Sequence, residues 1–516
     1  MANTSGSIAR ITRELSQVQK NADISIAVAV KDSDVRHIRA LIIGPPETPY
    51  EYGFFEFELK MPKDYPIKSP NVRAMTTNGG RTRFNPNIYA EGKVCLSILG
   101  TWRGNPGEEW SSAQGLESVL LSIQSLMSSN PYENEPGYET AKKGSPLPAA
   151  YVAKIRHETL RLSVLQRLET LLGISADRTS YLHLPKRART EGSFSPSAKA
   201  GAEDAREKSP TATSSGASSP AAEAEVEVEV PGTPPPVSQI HQYDAAATFA
   251  ALDTASWDPF GDLLKRRFLW YYDTYYATIS ANIAAKGEKG KPKEGEPFKR
   301  MEFEYPPNSM EGTFQYPTLL KRLEKVKAGL HQEEEQWVQE GKRLVKEDGQ
   351  LATMLAFQFT QLSHKWNESN HSGSRMELSL PDKTNPFLWN LTFFGKPMTN
   401  LDGGLWNLAL HIPPTFPEAQ PRVRFETPIF HHRVSGGGDL CYFPIKEGEI
   451  SSHLEGIVAA VEDESPIYDP RAVVNPEVFG MFWGGEDKKK IYGRKLRRSA
   501  QDSAEFGGLS GDVSRW

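Results

Sequence analysis

Across the first 175 residues the spacing of apolar positions changes several times, and each change marks an element. Ile8, Ile11, Leu15 and Val18 recur at intervals of three and four, which predicts an opening helix with one apolar stripe. The period then falls to two. ISIAVAV (24–30), RHIRALIIG (36–44) and FFEFELK (54–60), the last with Phe55, Phe57 and Leu59 on one face, predict an antiparallel meander. After Met61-Pro62 the Pro-punctuated stretch DYPIKSP leads into a further short strand at 71–76, then into a long irregular segment holding Cys95. Leu116, Val119, Leu120, Ile123 and Leu126 give an apolar face to a helix starting near Ala113, and another amphipathic helix is expected over about 150–171.

Residues 185–240 lose this patterning: Ala, Ser, Pro and Glu dominate, and Phe194 is the sole aromatic. Such a stretch cannot bury enough apolar surface to offset its ordering entropy, so a disordered linker is expected. Its Ser-Pro and Thr-Pro steps at Ser195, Ser209, Ser219 and Thr233 and its basic group Lys186, Arg187 and Arg189 read first as ordinary solvated linker, ahead of a phosphorylation switch or nuclear signal. Order returns near Trp257, where RRFLWYYDTYY (266–276) predicts a helix packed on a neighbour. A charged helical stretch (318–348) and LATMLAFQF (351–359) follow, and from about 376 the strand pattern reappears.

That reappearance is a repeat. Residues 53–72 match 404–423 without a gap, pairing Gly53, Pro62, Pro66, Pro70 and Val72 with Gly404, Pro413, Pro417, Pro421 and Val423. Prolines fix φ and remove a donor, so they dictate where a strand ends and how the next segment turns. VCLSI around Cys95 then corresponds to LCYFP around Cys441, 25 residues after Pro70 and 20 after Pro421 respectively. Two copies of one fold, far apart and dissimilar elsewhere, indicate an old domain duplication.

Length agrees, since 516 residues exceed the roughly 250–300 at which single cores stop growing. A net charge of −5 offers no basic footprint for nucleic acid. Cys95 and Cys441 are the two cysteines, which excludes a disulfide framework and suggests a reducing compartment. The start MANTSGSIARITREL has no continuous apolar core, and no run of 18 apolar residues occurs, so a soluble intracellular protein without membrane contact is expected. The cytoplasm is the expected location, with the basic linker group leaving the nucleus open.

Chemistry concentrates around Cys95. An isolated cysteine beside Val94, Leu96 and Ile98 reads as a small buried hydrophobe. Its setting argues otherwise, because an Asn85-Pro86-Asn87 turn and Gly92 precede it and a Gly-Thr-Trp turn follows five residues later. A thiol-transfer site needs an accessible sulfur, an oxyanion donor, a fixed backbone and a polar or acidic group near the incoming amine. The Asn87 amide could be that donor, with Pro86 holding the turn and Gly92 allowing close approach. No His lies near Cys95 in sequence, which weighs against a cysteine hydrolase, whereas transthiolation starts from an activated thioester and tolerates the absence.

These residues resemble the catalytic core of ubiquitin-conjugating (E2) enzymes over about 5–170: the stripe helix, the meander, YPIKSP, NPNIYAEGKVCLSIL, the WSSA turn and the closing helices. The family pattern before the cysteine is usually His-Pro-Asn, and Asn85 replaces the His. TNGGRT, SIQSLMSSNPYENEPGYE, FLWYYDTYY and FQYPTLLKRL extend the likeness over 1–330, interrupted by the linker. The resemblance implies an α+β fold and an enzyme that accepts ubiquitin or a ubiquitin-like protein on Cys95 from an E1 activating enzyme. An E3 ligase then usually helps transfer it to the lysine of a protein substrate. No cofactor or metal is implied, because the E1 consumes the ATP. By motif position Asn87 would orient the site and stabilise the oxyanion, and Glu135 would stand at the gate where the lysine enters. Arg13, Ile67 and the Trp110 to Ala113 turn would fall in the shared E1/E3-binding surface, Ile67 standing where some members carry Phe.

The second copy also resembles this core, but its triplet is His431-His432-Arg433, it has no Trp turn, and Gly436-Gly437-Gly438 is expected to loosen the approach to Cys441. Cys441 is either a second acceptor, using Arg433 or a His as donor, or a relic within a docking domain. Losing one oxyanion donor costs about 2.7–4 kcal/mol, which favours the relic. His431 and His432 lack further ligands at metal-binding spacing. The expected organisation is a catalytic domain at 1–175, linker 185–240, helical extension 250–348, a divergent second E2-like domain at 350–505 and a tail at 506–516. The alternative function is a non-catalytic E2-like scaffold that binds ubiquitin or E3 ligases.

Overall fold

The computed structural model describes residues 4–20, 25–31, 33–104, 107–140, 145–174, 257–285, 292–306, 308–347, 349–368 and 375–506. The expected linker at 185–240, with its Ser-Pro, Thr-Pro and basic groups, and residues 507–516 of the tail lie outside them.

The meander forms where the period-two pattern puts it. Strands β1 (Ile26–Lys31), β2 (Asp34–Ile43), β3 (Phe54–Lys60) and β4 (Asn71–Ala74) pair antiparallel in that order. Helix α1 (Thr4–Lys20) and helix α2 (Leu116–Ser125) lie on one face. There Ile38, Ala40, Ile42, Phe55, Phe57 and Leu59 pack against Ile11, Leu15, Val18, Val119, Leu120 and Ile123. Ile8 does not join them and is 39% exposed. The buried stripe of α1 starts instead at Ser7, whose hydroxyl accepts from Arg36, and runs through Ile11 and Glu14. α2 begins at Leu116 rather than Ala113. Gly115 has no side chain to cap it, so the Glu14 carboxylate from α1 takes the Leu116 N–H at 2.9 Å.

The other face of the sheet is covered too, which is why β3 is buried at six successive positions although its sequence alternates. Helix α3 (Leu147–Glu158), a π-helical stretch (Thr159–Gln166) and helix α4 (Arg167–Leu171) follow one another. Leu160, Val164, Leu165 and Leu168 meet Leu41, Ile43, Tyr52 and Phe54. Helix α5 (Gly261–Ala284) carries the aromatic run onto the same cluster, where Tyr271 stacks on Tyr52 at 4.1 Å between ring centroids. Each such apolar side chain contributes roughly 1.5–3 kcal/mol by leaving water.

After α5 the chain crosses the first domain as a strap, residues 292–306 and 308–315, before the long helix α6 (Tyr316–Lys346) and helix α7 (Gln350–Glu368). Met301, Phe303 and Met310 of the strap enter the first core, and Glu304 forms a buried pair with Lys154 of α3.

The second copy repeats the first in register. β5 (Met376–Ser379), β6 (Leu388–Phe394), β7 (Leu405–His411) and β8 (Arg422–Phe425) form a four-stranded antiparallel sheet in that order. Leu59 pairs with Val72 in the first sheet, and the residues 351 positions later, Leu410 and Val423, pair in the second. The Tyr65-Pro66 and Phe416-Pro417 bonds are both cis. α8 (Ile450–Glu462), α9 (Pro476–Phe482) and α10 (Glu486–Phe506) complete this domain, whose core includes Trp389, Leu391, Leu408, Leu454, Ile457 and Leu496. The two sheets and the intervening helices are therefore an α+β arrangement of two like domains.

Candidate functional site

The loop from Asn85 to Cys95 folds back on itself. Asn85 is fully buried; its amide donates to Tyr50 Oη (2.9 Å) and to the Leu126 carbonyl (2.7 Å), and its Oδ1 accepts from the Asn87 N–H (2.9 Å). A carboxamide thus fixes the turn from both ends where the family usually has an imidazole. Ile88 then bridges Val94, and Gly92, at φ +99°, closes the bend with its N–H on the Tyr89 carbonyl. A Cβ at Gly92 would stand 2.7 Å from the Ala74 carbonyl oxygen, so the position requires glycine.

Cys95 hangs from this bend by its N–H, which donates to the Asn87 carbonyl at 2.8 Å. The Asn87 amide nitrogen lies 3.2 Å from the Cys95 carbonyl oxygen, and its Oδ1 has no partner among the described residues. Downstream, the Thr101 hydroxyl donates to the Val94 carbonyl (2.6 Å) and accepts from the Leu96 N–H (3.0 Å), fixing the exit from the cysteine.

The sulfur is not open to solvent as the chemistry led us to expect: Cys95 is 3% exposed. The fold-back closes beside it, where the Tyr89 N–H donates to the Lys93 carbonyl at 2.8 Å. Cys95 nonetheless joins none of the three apolar clusters. Burial pushes its pKa up, while Lys93, Arg83 and the Tyr89 hydroxyl oppose the rise. Glu135 follows a 3-10 turn (Pro131–Asn134) and reaches the Asn85–Cys95 loop through Arg83, whose guanidinium lies 3.2 Å from its carboxylate. Burial raises the Glu135 pKa against the pull of that arginine.

The four residues assigned to a partner-binding surface sit on neighbouring elements. Ile67 is 74% exposed, and Arg13 and Ala113 are exposed. Trp110 is half-buried, with its indole N–H on the Pro66 carbonyl at 2.9 Å. Glu14, next to Arg13, accepts from Tyr65 Oη at 2.5 Å and from Leu116 N, which ties α1 to both turns.

Cys441 occupies the same backbone position in the second copy. Its N–H donates to the Arg433 carbonyl at 2.9 Å, Val434 bridges Leu440, and Gly438 stands at φ +89° as Gly92 stands at +99°. The three glycines do not loosen this approach. Gly438 takes the place of Gly92, and Gly436 donates its N–H to Asp273 of α5 at 2.6 Å. Cys441 is 0% exposed and lies in the cluster of Trp270, Tyr271 and Val474, with the Trp270 indole donating to the Leu440 carbonyl at 3.0 Å. The flanking histidines serve structure: His431 Nδ1 accepts from Arg433 N, and His432 stacks on Phe482. Among the described residues no group of three or more His, Cys, Asp or Glu could hold a metal ion.

Arg83, Tyr89 and the strap around Phe303 escaped the sequence reading. A charged residue in a loop ordinarily reads as solvated, and the strap's position depends on packing more than 200 residues from the loop it covers. Only the density of aromatic and charged residues in FKRMEFEY could have drawn attention to it.

A family model described as ubiquitin-conjugating enzyme matches residues 10–157 and again 359–463. Over 162 residues the chain is 49% identical to ubiquitin-conjugating enzyme E2 Z of Xenopus tropicalis, covering 31% of this chain and 50% of that protein. It is also 49% identical over 160 residues to the Homo sapiens E2 Z, covering 31% and 44% respectively. The chain thus spans about half the length of the curated relatives it matches. A solved structure of human ubiquitin-conjugating enzyme E2 G1 is 33% identical, covers 24% of this chain and 95% of that one, and has a TM-score of 0.21.

Proposed function

Since the chain belongs to the ubiquitin-conjugating enzyme family, with one domain of that kind at 10–157 and another at 359–463, we propose that its first domain carries ubiquitin or a ubiquitin-like protein as a thioester on Cys95. An E1 activating enzyme delivers the modifier. The Cys95 thiolate attacks the E1 thioester carbon, the new C–S bond forms, and the E1 sulfur leaves. A substrate lysine, usually brought by an E3 ligase, then attacks the same carbon, and Cys95 leaves as the thiolate.

The observation that carries this reading is the Asn87 amide, poised 3.2 Å from the Cys95 carbonyl on the loop that binds the Cys95 N–H. A small rotation of Asn87 aims that donor at the oxyanion formed on either attack. The buried sulfur must be uncovered to admit a thioester, and Glu135 stands where the amine would enter. Arg13, Ile67, Trp110 and Ala113 form the docking surface for E1 and E3. Cys441, enclosed by aromatic rings, takes no modifier, and its domain serves as a docking body in the cytoplasm.

The rival reading, a scaffold that binds ubiquitin or an E3 without chemistry, draws on the burial of Cys95. Incubation with E1, ATP and ubiquitin, followed by non-reducing gels, separates the two. We expect an adduct lost on reduction and lost in Cys95→Ala but kept in Cys441→Ala. No adduct in the unmodified chain with either ubiquitin or ubiquitin-like proteins leaves the scaffold; a separate adduct removed by Cys441→Ala overturns the relic assignment. Asn87→Ala should charge normally and discharge to lysine roughly 100-fold more slowly, the usual loss for one oxyanion donor.

A further inference from the structure

Arg83 is a buried cation, its side chain 4% exposed, and nothing in the thioester scheme above uses it. Its guanidinium bonds the Pro86 carbonyl in the turn that holds Asn87, and the Phe303 carbonyl of the strap at 3.2 Å. It pairs with Glu135 at 3.2 Å and lies 4.4 Å from the centroid of the Tyr89 ring. The strap fastens the same loop independently, since Asn308 Oδ1 accepts from the Ala90 N–H at 2.9 Å. A buried charge with so many fixed partners has a defined place, and a planar fork suits it to several acceptors at once.

We propose that Arg83 is the positioning residue of the Cys95 site: it ties Tyr89, Glu135 and the Pro86–Asn87 peptide to one buried positive charge, and thereby sets how readily the cysteine becomes, and leaves as, a thiolate. In discharge the amine nitrogen bonds the thioester carbon, the C–S pair departs on Sγ, and the nitrogen sheds its proton to solvent. A cation held against the Tyr89 ring favours the departing charge; Glu135 moderates that cation. The other groups facing the thiol are Lys93, which favours the anion, and Glu91, which opposes it. On the strap, Glu302 is bonded to Tyr138 and Glu304 to Lys154.

The inference rests on Cys95 being the nucleophile, so the test reads the thiol directly and does not depend on charging. In the full chain carrying Cys441→Ala, the pH dependence of iodoacetamide alkylation gives the midpoint for Cys95 regardless of access. Arg83→Gln should raise the midpoint and slow alkylation at pH 7.5 by roughly three- to tenfold. Glu135→Gln, which leaves Arg83 uncompensated, should lower the midpoint and speed the reaction. Arg83→Lys, which keeps the charge without the fork, should recover most of the midpoint. Opposite signs are the signature, because loosening the loop would move both variants alike. An unmoved midpoint in Arg83→Gln, or shifts of the same sign in Arg83→Gln and Glu135→Gln, overturns the proposal. These shifts without any E1-dependent adduct would instead sink the conjugating role and leave Arg83 as assigned.

Discussion

Cys95 and Cys441 hang from matching bends: the N–H bonds back across the loop at 2.8 and 2.9 Å, and a glycine three residues earlier sits at positive φ. What stands over each sulfur differs. Lys93 and Arg83 face the first and Arg433 and Arg267 the second, so each has two cations near it, but α5 also lays Trp270 and Tyr271 over the second, sealing it within the cluster that also backs the first sheet. The residue two before each cysteine bridges the neighbouring strand in both copies, and it is Lys93 in one and Asp439 in the other. The backbone bend is thus kept by glycines and prolines in both copies, while the cover over the sulfur and the charge two residues before it differ.

The largest effect should come from removing the seal. Trp270→Ala deletes a buried indole and leaves the Leu440 carbonyl without its donor, so about 3–5 kcal/mol of stability should be lost in urea denaturation. Cys441 should also become open to iodoacetamide; continued silence would place its cover elsewhere. Next is the strap, for which the second copy shows no counterpart among the described residues. Lys154 and Glu304 are 0% and 1% exposed in their side chains and contact at 2.5 Å. Lys154→Met or Glu304→Leu alone strands a buried charge and should cost about 3–5 kcal/mol, while the double substitution should restore most of it. Equal losses in single and double variants would mean that packing, not the pair, holds the strap.

The skeleton was legible from five repeated residues because Gly53, Pro62, Pro66, Pro70 and Val72 act locally, each setting backbone within its own turn or strand. Asn87, Gly92 and Cys95 were legible for the same reason, since one loop holds all three. Burial of the two sulfurs was not. Cys95 is enclosed where the loop doubles back on itself, and Trp270 reaches Leu440 from 170 residues away. Gly436 looked like slack in sequence, yet its bare N–H meets Asp273 from another helix.

Asp439 gives a smaller test. Burial pushes its carboxyl up to about 6, while Lys327 and the Ser435 hydroxyl oppose the rise. The folded form therefore holds its proton more tightly than the unfolded chain, whose Asp titrates near ~3.9. The resulting stability is complete below that value and is lost as pH rises through about 6. Asp439→Asn should thus melt higher than the unmodified chain at pH 7, by roughly 1–3 kcal/mol, and the advantage should vanish near pH 4. A variant less stable at both pH values would show that the carboxylate is held by its partners more strongly than burial opposes it.

The smallest shift addresses the comparison most directly. Lys93 is half-buried and faces Cys95 beside Arg83, so Lys93→Asp gives the first copy the second copy's charge at that bridge, and it also removes the ammonium that lies 5.8 Å from the Tyr89 ring centroid. A partly solvated charge acts through a high effective dielectric, and reversing it should raise the Cys95 midpoint by about half to one unit, roughly 1 kcal/mol. Alkylation at pH 7.5 should slow accordingly, and added salt should narrow the difference because the charge is screened. If the midpoint stays put, charge at this bridge does not set the thiol and cover by α5 is the difference that remains between the two copies; if it rises while Trp270→Ala leaves Cys441 exposed but slow to alkylate, charge at this bridge and cover by α5 act separately on a thiol in this bend.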